Sequence, residues 1–105
     1  MKAAFLNRIN EPLEIRDTDM PDPGENEVIV KQAETGVCYR DLLTATGFFP
    51  KVKLPIIPGH EIGGTVVKTG EGVRNFRVGD RISSLIYVPC GKCEYCLSGN
   101  ENLCP

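Results

Sequence analysis

The sequence predicts a mainly β fold with short helices, built as one domain of 105 residues. A chain of this length buries roughly two-thirds of the surface that its unfolded form exposes, so one modest core is feasible. Apolar residues make up 41% of the chain and charged residues 25%, as in an ordinary folded protein rather than a disordered one. Eleven glycines and eight prolines divide the chain into short runs, which favours strands joined by turns.

Short extended runs between turn residues predict the strands. The clearest run contains the β-branched series Val28, Ile29 and Val30. In chain order, the predicted strands are residues 1–6, 13–17, 27–33, 63–69 and 81–88. Prolines and glycines predict turns at residues 21–24, 70–72 and 78–80, and a proline-rich surface connection at residues 50–58.

One helix is predicted, over residues 39–46. Asp41 lies in its first turn, where a carboxylate complements the positive end of the helix, and Gly47 follows its last turn, where glycine commonly ends a helix. Cys38 immediately precedes this helix, at the end that favours negative charge.

Charge and patterning exclude several classes of function. Twelve basic and fourteen acidic residues give a net charge of −2, which is not the basic surface of a nucleic-acid-binding protein. The N-terminal residues become polar after four apolar positions, so they predict neither a signal peptide nor a membrane span. We therefore expect a cytoplasmic protein with no nucleic-acid or membrane partner. The single histidine also excludes a metalloprotease helix, which needs two histidines.

Four of the five cysteines form a dense pattern near the C-terminus, C-x2-C-x2-C-x7-C, consisting of Cys90, Cys93, Cys96 and Cys104. Three thiolates at steps of three can surround one ion, and Gly99 and Asn100 allow the chain to turn back so that the fourth thiolate completes a tetrahedron. Four thiolates leave no open coordination position. The pattern therefore predicts a structural zinc site.

Two alternatives to zinc exist for these cysteines. Bacterial ferredoxins bind iron–sulfur clusters through C-x2-C-x2-C-x3-C-P, and this chain matches the first three cysteines and the final Cys-Pro pair, but with seven residues in the last gap. Disulfide-paired or unligated cysteines fit less well, because the count is odd and the cysteines are clustered.

Cys38 and His60 are candidates for a second metal site. A lone cysteine is most often a small buried apolar residue, and a lone histidine is most often hydrogen-bonded rather than metal-bound. Taken together, the two resemble a pair of ligands in an open metal site. Glu61 and Asp41 would then be carboxylates near those ligands.

In this order and spacing, the motifs resemble the N-terminal catalytic domain of the zinc-dependent medium-chain alcohol dehydrogenases. The matching elements are Gly36-Val37-Cys38 with Asp41, Pro58-Gly59-His60-Glu61, Gly63, Val78-Gly79-Asp80 and the four-cysteine segment. The resemblance implies a GroES-like, bent partial β-barrel over residues 1–105, with a structural-zinc lobe at residues 90–104.

The resemblance also implies a role for each site residue. Cys38 and His60 would ligate a catalytic zinc, Asp41 would hydrogen-bond to the ligating histidine, and Glu61 would lie beside the metal. The structural zinc would be held by Cys90, Cys93, Cys96 and Cys104. The third catalytic ligand and the nucleotide-binding domain would lie beyond residue 105, so the chain is interpreted as a fragment that is inactive alone. Residues 70–75 lack the third glycine of a dinucleotide-binding motif and are interpreted as a turn.

The activity that the resemblance implies for the parent protein is NAD- or NADP-linked oxidation of an alcohol or reduction of an aldehyde or ketone. Zinc would polarise the substrate oxygen while a hydride moves to or from nicotinamide. The parent would be a homo-oligomer acting on small molecules.

Arg40 departs from the family pattern. Alcohol-oxidising members usually have a Ser or Thr here that starts a proton relay, and a guanidinium cannot replace that hydroxyl. Its permanent charge suits a phosphate, so we predict that Arg40 binds the cofactor. The missing hydroxyl favours an alternative activity, reduction of the activated C=C bond of an enoyl or acryloyl thioester. An alternative from another class is a non-catalytic zinc-binding module.

Overall fold

Two antiparallel sheets contain all five strands of the protein. The computed structural model describes residues 1–105. The smaller sheet pairs β1 (Lys2–Phe5) with β2 (Glu14–Asp17), which lie within the first two predicted strands. A salt bridge of 3.2 Å between Lys2 Nζ and Asp17 Oδ2 lies at its open end, where both side chains are well exposed. Such an exposed pair adds little to stability.

The larger sheet positions the candidate site. Its strands are β3 (Val28–Thr35), β4 (Ile62–Thr69) and β5 (Arg81–Ser83), in that spatial order and all antiparallel. β3 and β4 pair along their whole length, and two register irregularities bend the ladder. The end of β3 therefore lies beside the start of β4.

β5 is shorter than predicted, because it ends at Ser83 rather than at residue 88. Its partner β4 begins at Ile62, so the ladder has no further residues to pair with. Ile86 and Val88 have strand-forming side chains, but they are exposed and their backbone lies outside both sheets. Local β propensity without a partner strand does not make a strand.

Helix α1 (Tyr39–Ala45) confirms the predicted helix to within one residue. Gly47 follows it with a φ of 83°, a left-handed conformation that favours glycine. Two short elements near the C-terminus were not predicted: α2 (Glu94–Leu97) and a 3-10 helical turn over Glu101–Leu103. No helix of the protein is both long and apolar enough to cross a membrane.

The core is small. Only Leu6 and Val66 are fully buried. Leu6 is held by two backbone hydrogen bonds with Ile56, of 2.8 and 3.1 Å, which link the proline-rich connection to the end of β1. The prediction that residues 50–58 form only a surface connection is therefore incomplete, because Ile56 pairs with one of the two buried residues.

Candidate functional site

The fold brings Cys38, His60 and Glu61 together. One potential ligand atom from each, the thiol sulfur, an imidazole nitrogen and a carboxylate oxygen, lies within 4.8 Å of the others. The sheet explains this convergence, because Thr35 at the end of β3 pairs with Ile62 at the start of β4. Cys38 follows β3 by three residues, while His60 and Glu61 directly precede β4. We call this group the mixed cluster.

Asp41 connects helix α1 to the mixed cluster. Its Oδ2 accepts a hydrogen bond of 2.9 Å from the backbone N–H of Cys38, which caps the first turn of the helix. Its Oδ1 lies 3.3 Å from Nδ1 of His60, and both side chains are less than one-fifth exposed. A carboxylate at Nδ1 fixes the orientation of the ring and leaves Nε2 for a ligand.

Gly36 makes room for the side chain of Glu61. A Cβ atom at position 36 would overlap the Glu61 carboxylate and would lie 3.1 Å from its Cβ and Cδ atoms. The backbone of Gly36 also donates a 2.9 Å hydrogen bond to the carbonyl oxygen of Glu61. The glycine therefore holds the Glu61 backbone and leaves space for its carboxylate beside the cluster.

Arg40 lies next to the mixed cluster and is exposed. Its guanidinium carbon is 4.2 Å from the centre of the Phe49 ring, a cation–π arrangement. Its backbone N–H approaches Cys38 Sγ at 3.5 Å. The Arg40 guanidinium thus packs against the Phe49 ring. Its role in cofactor binding stays a prediction.

The other cysteines form a second cluster, whose members are Cys90, Cys93, Cys96 and Cys104. All four sulfurs lie within 4.8 Å of one another. Cys96 Sγ is 3.5 Å from Cys93 Sγ and 3.9 Å from Cys90 Sγ, and all are free thiols. Thiolates bound tetrahedrally to zinc at about 2.3 Å lie about 3.8 Å apart, so the spacing fits one ion.

Hydrogen bonds and desolvation shift the thiol pKa values of this four-cysteine cluster in opposite directions. The N–H groups of Lys92 and Cys93 point at Cys90, and they lower the pKa of its thiol to about 6. Desolvation by the surrounding lobe, together with the thiol of Cys93, raises the pKa of Cys96 to about 12. Cys90 therefore ionises most readily, while the thiol of Cys96 stays protonated. A bound cation would favour ionisation of all four thiols.

Ser84, which directly follows β5, was not predicted as a site residue. Its hydroxyl group contacts the backbone on both sides of Glu61. It also lines an open cleft of about 520 Å³ with Thr35, Gly36 and Glu61. No local motif marks these contacts, because residues 60–62 and Ser84 are more than twenty positions apart.

Comparison with known proteins identifies the family. Residues 24–104 match the model of the alcohol dehydrogenase GroES-like domain. This chain belongs to the alcohol dehydrogenase family. An alcohol dehydrogenase from Geobacillus stearothermophilus is 50% identical over 107 residues, a match that covers 100% of this chain and 32% of that protein. An acryloyl-coenzyme A reductase from Metallosphaera sedula is 43% identical over 104 residues, covering 99% of this chain and 31% of that protein.

Solved structures support the same assignment. The crystal structure of an NAD-dependent alcohol dehydrogenase superposes with a TM-score of 0.90 and 35% identity, over 100% of this chain and 32% of that one. The predicted mainly β, GroES-like fold and the family resemblance are confirmed. The structure brings the seven predicted metal ligands together in the mixed cluster and the four-cysteine cluster, with Asp41 and Arg40 next to the mixed cluster. Their roles as metal ligands stay predictions.

Proposed function

We propose that residues 1–105 supply part of the catalytic domain of a zinc-dependent, NAD(P)-linked oxidoreductase. The observation that carries the proposal is the convergence of thiol, imidazole and carboxylate groups at the mixed cluster. The chain spans 32% of the length of its Geobacillus relative, so the nucleotide-binding domain is assigned to residues outside this chain.

The donors of the mixed cluster suit zinc, which accepts sulfur, nitrogen and oxygen ligands. Cys38 and His60 would hold the ion, Glu61 would lie beside it, and a further ligand would come from outside residues 1–105. When bound, zinc supplies a Lewis acid that polarises a substrate oxygen. Asp41 holds His60 in the orientation that a metal ligand needs, since it occupies the Nδ1 side of the ring.

The four-cysteine cluster would hold a second, structural zinc. Four thiolates complete the coordination shell, so this site offers no position for a substrate. Its role is to order residues 90–104, which contain only two short helical elements and expose their apolar side chains.

The primary candidate reaction is interconversion of a small alcohol with its aldehyde or ketone. A second candidate is reduction of the activated alkene of an acryloyl or enoyl thioester. Arg40 favours the second, because it offers no hydroxyl for an alcohol proton relay. The similarity to an acryloyl-coenzyme A reductase also supports it.

Activity of the full-length protein distinguishes these proposals. Purified protein is assayed with NAD or NADP and a panel of alcohols, and with NADH or NADPH and acryloyl or crotonyl thioesters. Turnover of either class that is abolished by Cys38→Ser supports the oxidoreductase proposal, and the preferred class selects the reaction. Absence of turnover with both classes favours a non-catalytic zinc-binding module.

The 105-residue chain alone is expected to show no turnover, because hydride transfer requires nicotinamide held at reacting distance from the substrate. We also propose that the parent is a homo-oligomer in the cytoplasm, where free thiols persist. Its partners would be small molecules, with no nucleic acid or membrane among them.

A further inference from the structure

Ser84 holds the backbone on both sides of a candidate metal ligand. Its hydroxyl donates a 2.6 Å hydrogen bond to the carbonyl oxygen of His60 and accepts a 2.9 Å bond from the N–H of Ile62. The backbone N–H of Ser84 donates a further 2.9 Å bond to the carbonyl oxygen of Ile62. One residue thus makes three hydrogen bonds to the segment that carries His60 and Glu61.

The segment has little restraint on its N-terminal side, although the carbonyl oxygen of Glu61 accepts bonds from Gly36 and Thr35. Gly59, which precedes His60, has a φ of 120° and no atom within 4 Å of a potential Cβ. Glycine allows the widest range of backbone angles, so the direction of the His60 side chain depends on bonds made after Gly59. Ser84 makes hydrogen bonds to the backbone of both His60 and Ile62.

We propose that Ser84 is a positioning residue for the metal site formed by Cys38, His60 and Glu61. Its hydroxyl fixes the backbone of residues 60–62, so that the imidazole meets both Asp41 and Cys38. This proposal rests on the proposed function, because it assigns a metal to the mixed cluster. It concerns the geometry of His60, which can be measured with or without metal.

The role requires a group that donates and accepts at once. Ser84→Ala leaves the carbonyl of His60 and the N–H of Ile62 without their partner, whereas Ser84→Thr keeps the hydroxyl. Thr35→Val is a matched control, because the Thr35 hydroxyl donates to the carbonyl oxygen of Glu61 at 3.0 Å. That oxygen also accepts from Gly36 N–H, so the variant leaves no partly buried group unpaired.

The single histidine of the chain makes the test direct. The tag-free chain is labelled with ¹⁵N-histidine, its four-cysteine cluster is loaded with zinc, and the ring resonances are recorded at one fixed pH. Cobalt(II) is then titrated, and binding to the mixed cluster is followed by its absorption bands and by paramagnetic loss of the ring signals.

In Ser84→Ala we expect shifted or broadened ring resonances before metal is added, and cobalt affinity lowered by about tenfold. Ser84→Thr and Thr35→Val should match the wild type in both readouts. Exchange of the Ile62 amide proton provides a measurement on the wild-type chain alone, and slow exchange is expected from its bond to Ser84.

Unchanged ring resonances and cobalt affinity in Ser84→Ala would overturn the proposal, as would a free exchange rate for the Ile62 amide. If the wild type shows the expected ring signals and slow exchange but binds no cobalt at His60, the proposed metal site fails. In that case the ring resonances of Ser84→Ala still decide whether Ser84 positions His60.

Discussion

Gly36 lies against Glu61, a member of the mixed cluster. Even an alanine side chain at position 36 should therefore disturb the cluster. In Gly36→Ala the new methyl group would overlap the Glu61 carboxylate, which must swing away because the backbone there is hydrogen-bonded. We expect cobalt(II) affinity at the mixed cluster to fall by about tenfold, the low end for a displaced metal-site group. Absorption titration of the zinc-loaded chain measures it.

Gly63→Ala is the control for that substitution. It lies in β4 two residues after Glu61, and no atom lies within 4 Å of its potential Cβ. Equal cobalt affinities for the two variants would show that Glu61 does not contribute to the site.

Arg40 has a charge that its contact with Phe49 does not neutralise. A charge-assisted contact to a cofactor phosphate is worth about 1.4 kcal/mol, so Arg40→Ala in the full-length protein should raise the cofactor Kd about tenfold. Fluorescence titration with the nicotinamide cofactor measures this. Phe49→Leu removes the ring under the guanidinium but keeps its charge, so a smaller rise is expected.

Arg40→Thr separates the two roles considered for this position. It should lose the same cofactor affinity as Arg40→Ala but oxidise alcohols faster, because a hydroxyl can start a proton relay. An unchanged cofactor Kd in Arg40→Ala would remove the phosphate role. Equal alcohol turnover in the Thr and Ala variants would remove the relay role.

At the level of single residues, the candidate ligands could be predicted from the sequence, but the residues that position them could not. Cys38, His60 and Glu61 were predicted from residue type and motif order, since metal sites need such donors. Ser84 and the spatial role of Gly36 could not be predicted. Their contacts depend on how β3, β4 and β5 align, and no local pattern encodes that alignment.

Among the secondary elements, we expect those of the C-terminal lobe, residues 90–104, to depend most on the cysteines. Helix α2 has one turn, and Leu97 and Leu103 are well exposed, so apolar burial contributes little to its order. We expect Cys104→Ser to increase amide hydrogen exchange across residues 90–104, while β3 and β4 stay protected. Hydrogen exchange measured by mass spectrometry checks this on the zinc-loaded chain.

A chelator provides the matching control for the lobe. Removing zinc from the wild type should produce the same pattern of exchange as Cys104→Ser, because both break the same coordination shell. Equal protection of residues 90–104 with and without chelator would contradict a structural role for metal.

Secondary elements were predicted correctly where a strong local sequence pattern coincided with a neighbouring element to pack or pair with. β3 was predicted from its β-branched run and α1 from the residues at its two ends. Both signals lie within the element itself, so they can be read from the local sequence. Residues 84–88 have the same β-branched character but no strand to pair with, so the prediction was too long. The short α2 was missed because its four residues, Glu94–Leu97, are too few for a helical pattern to be recognised in the sequence.

For the whole molecule, the core is small, and we expect metal at the four-cysteine cluster to contribute to stability. Only two side chains are fully buried, whereas many large apolar side chains, including Val37, Val88 and Leu97, are exposed. The GroES-like fold was predicted from motif order rather than from strand pattern, since short strands alone are compatible with several β folds.

The central claim is that the chain holds one complete metal site and one partial site. Metal content after dialysis tests it most directly, with wild type, Cys38→Ser and Cys104→Ser analysed by elemental mass spectrometry. Four thiolates complete a tetrahedron while the mixed cluster lacks a further ligand, so we expect close to one zinc per chain in the wild type. Cys38→Ser should keep this zinc and Cys104→Ser should lose it. Iron in place of zinc, or loss of the tightly held metal in Cys38→Ser, would contradict the account.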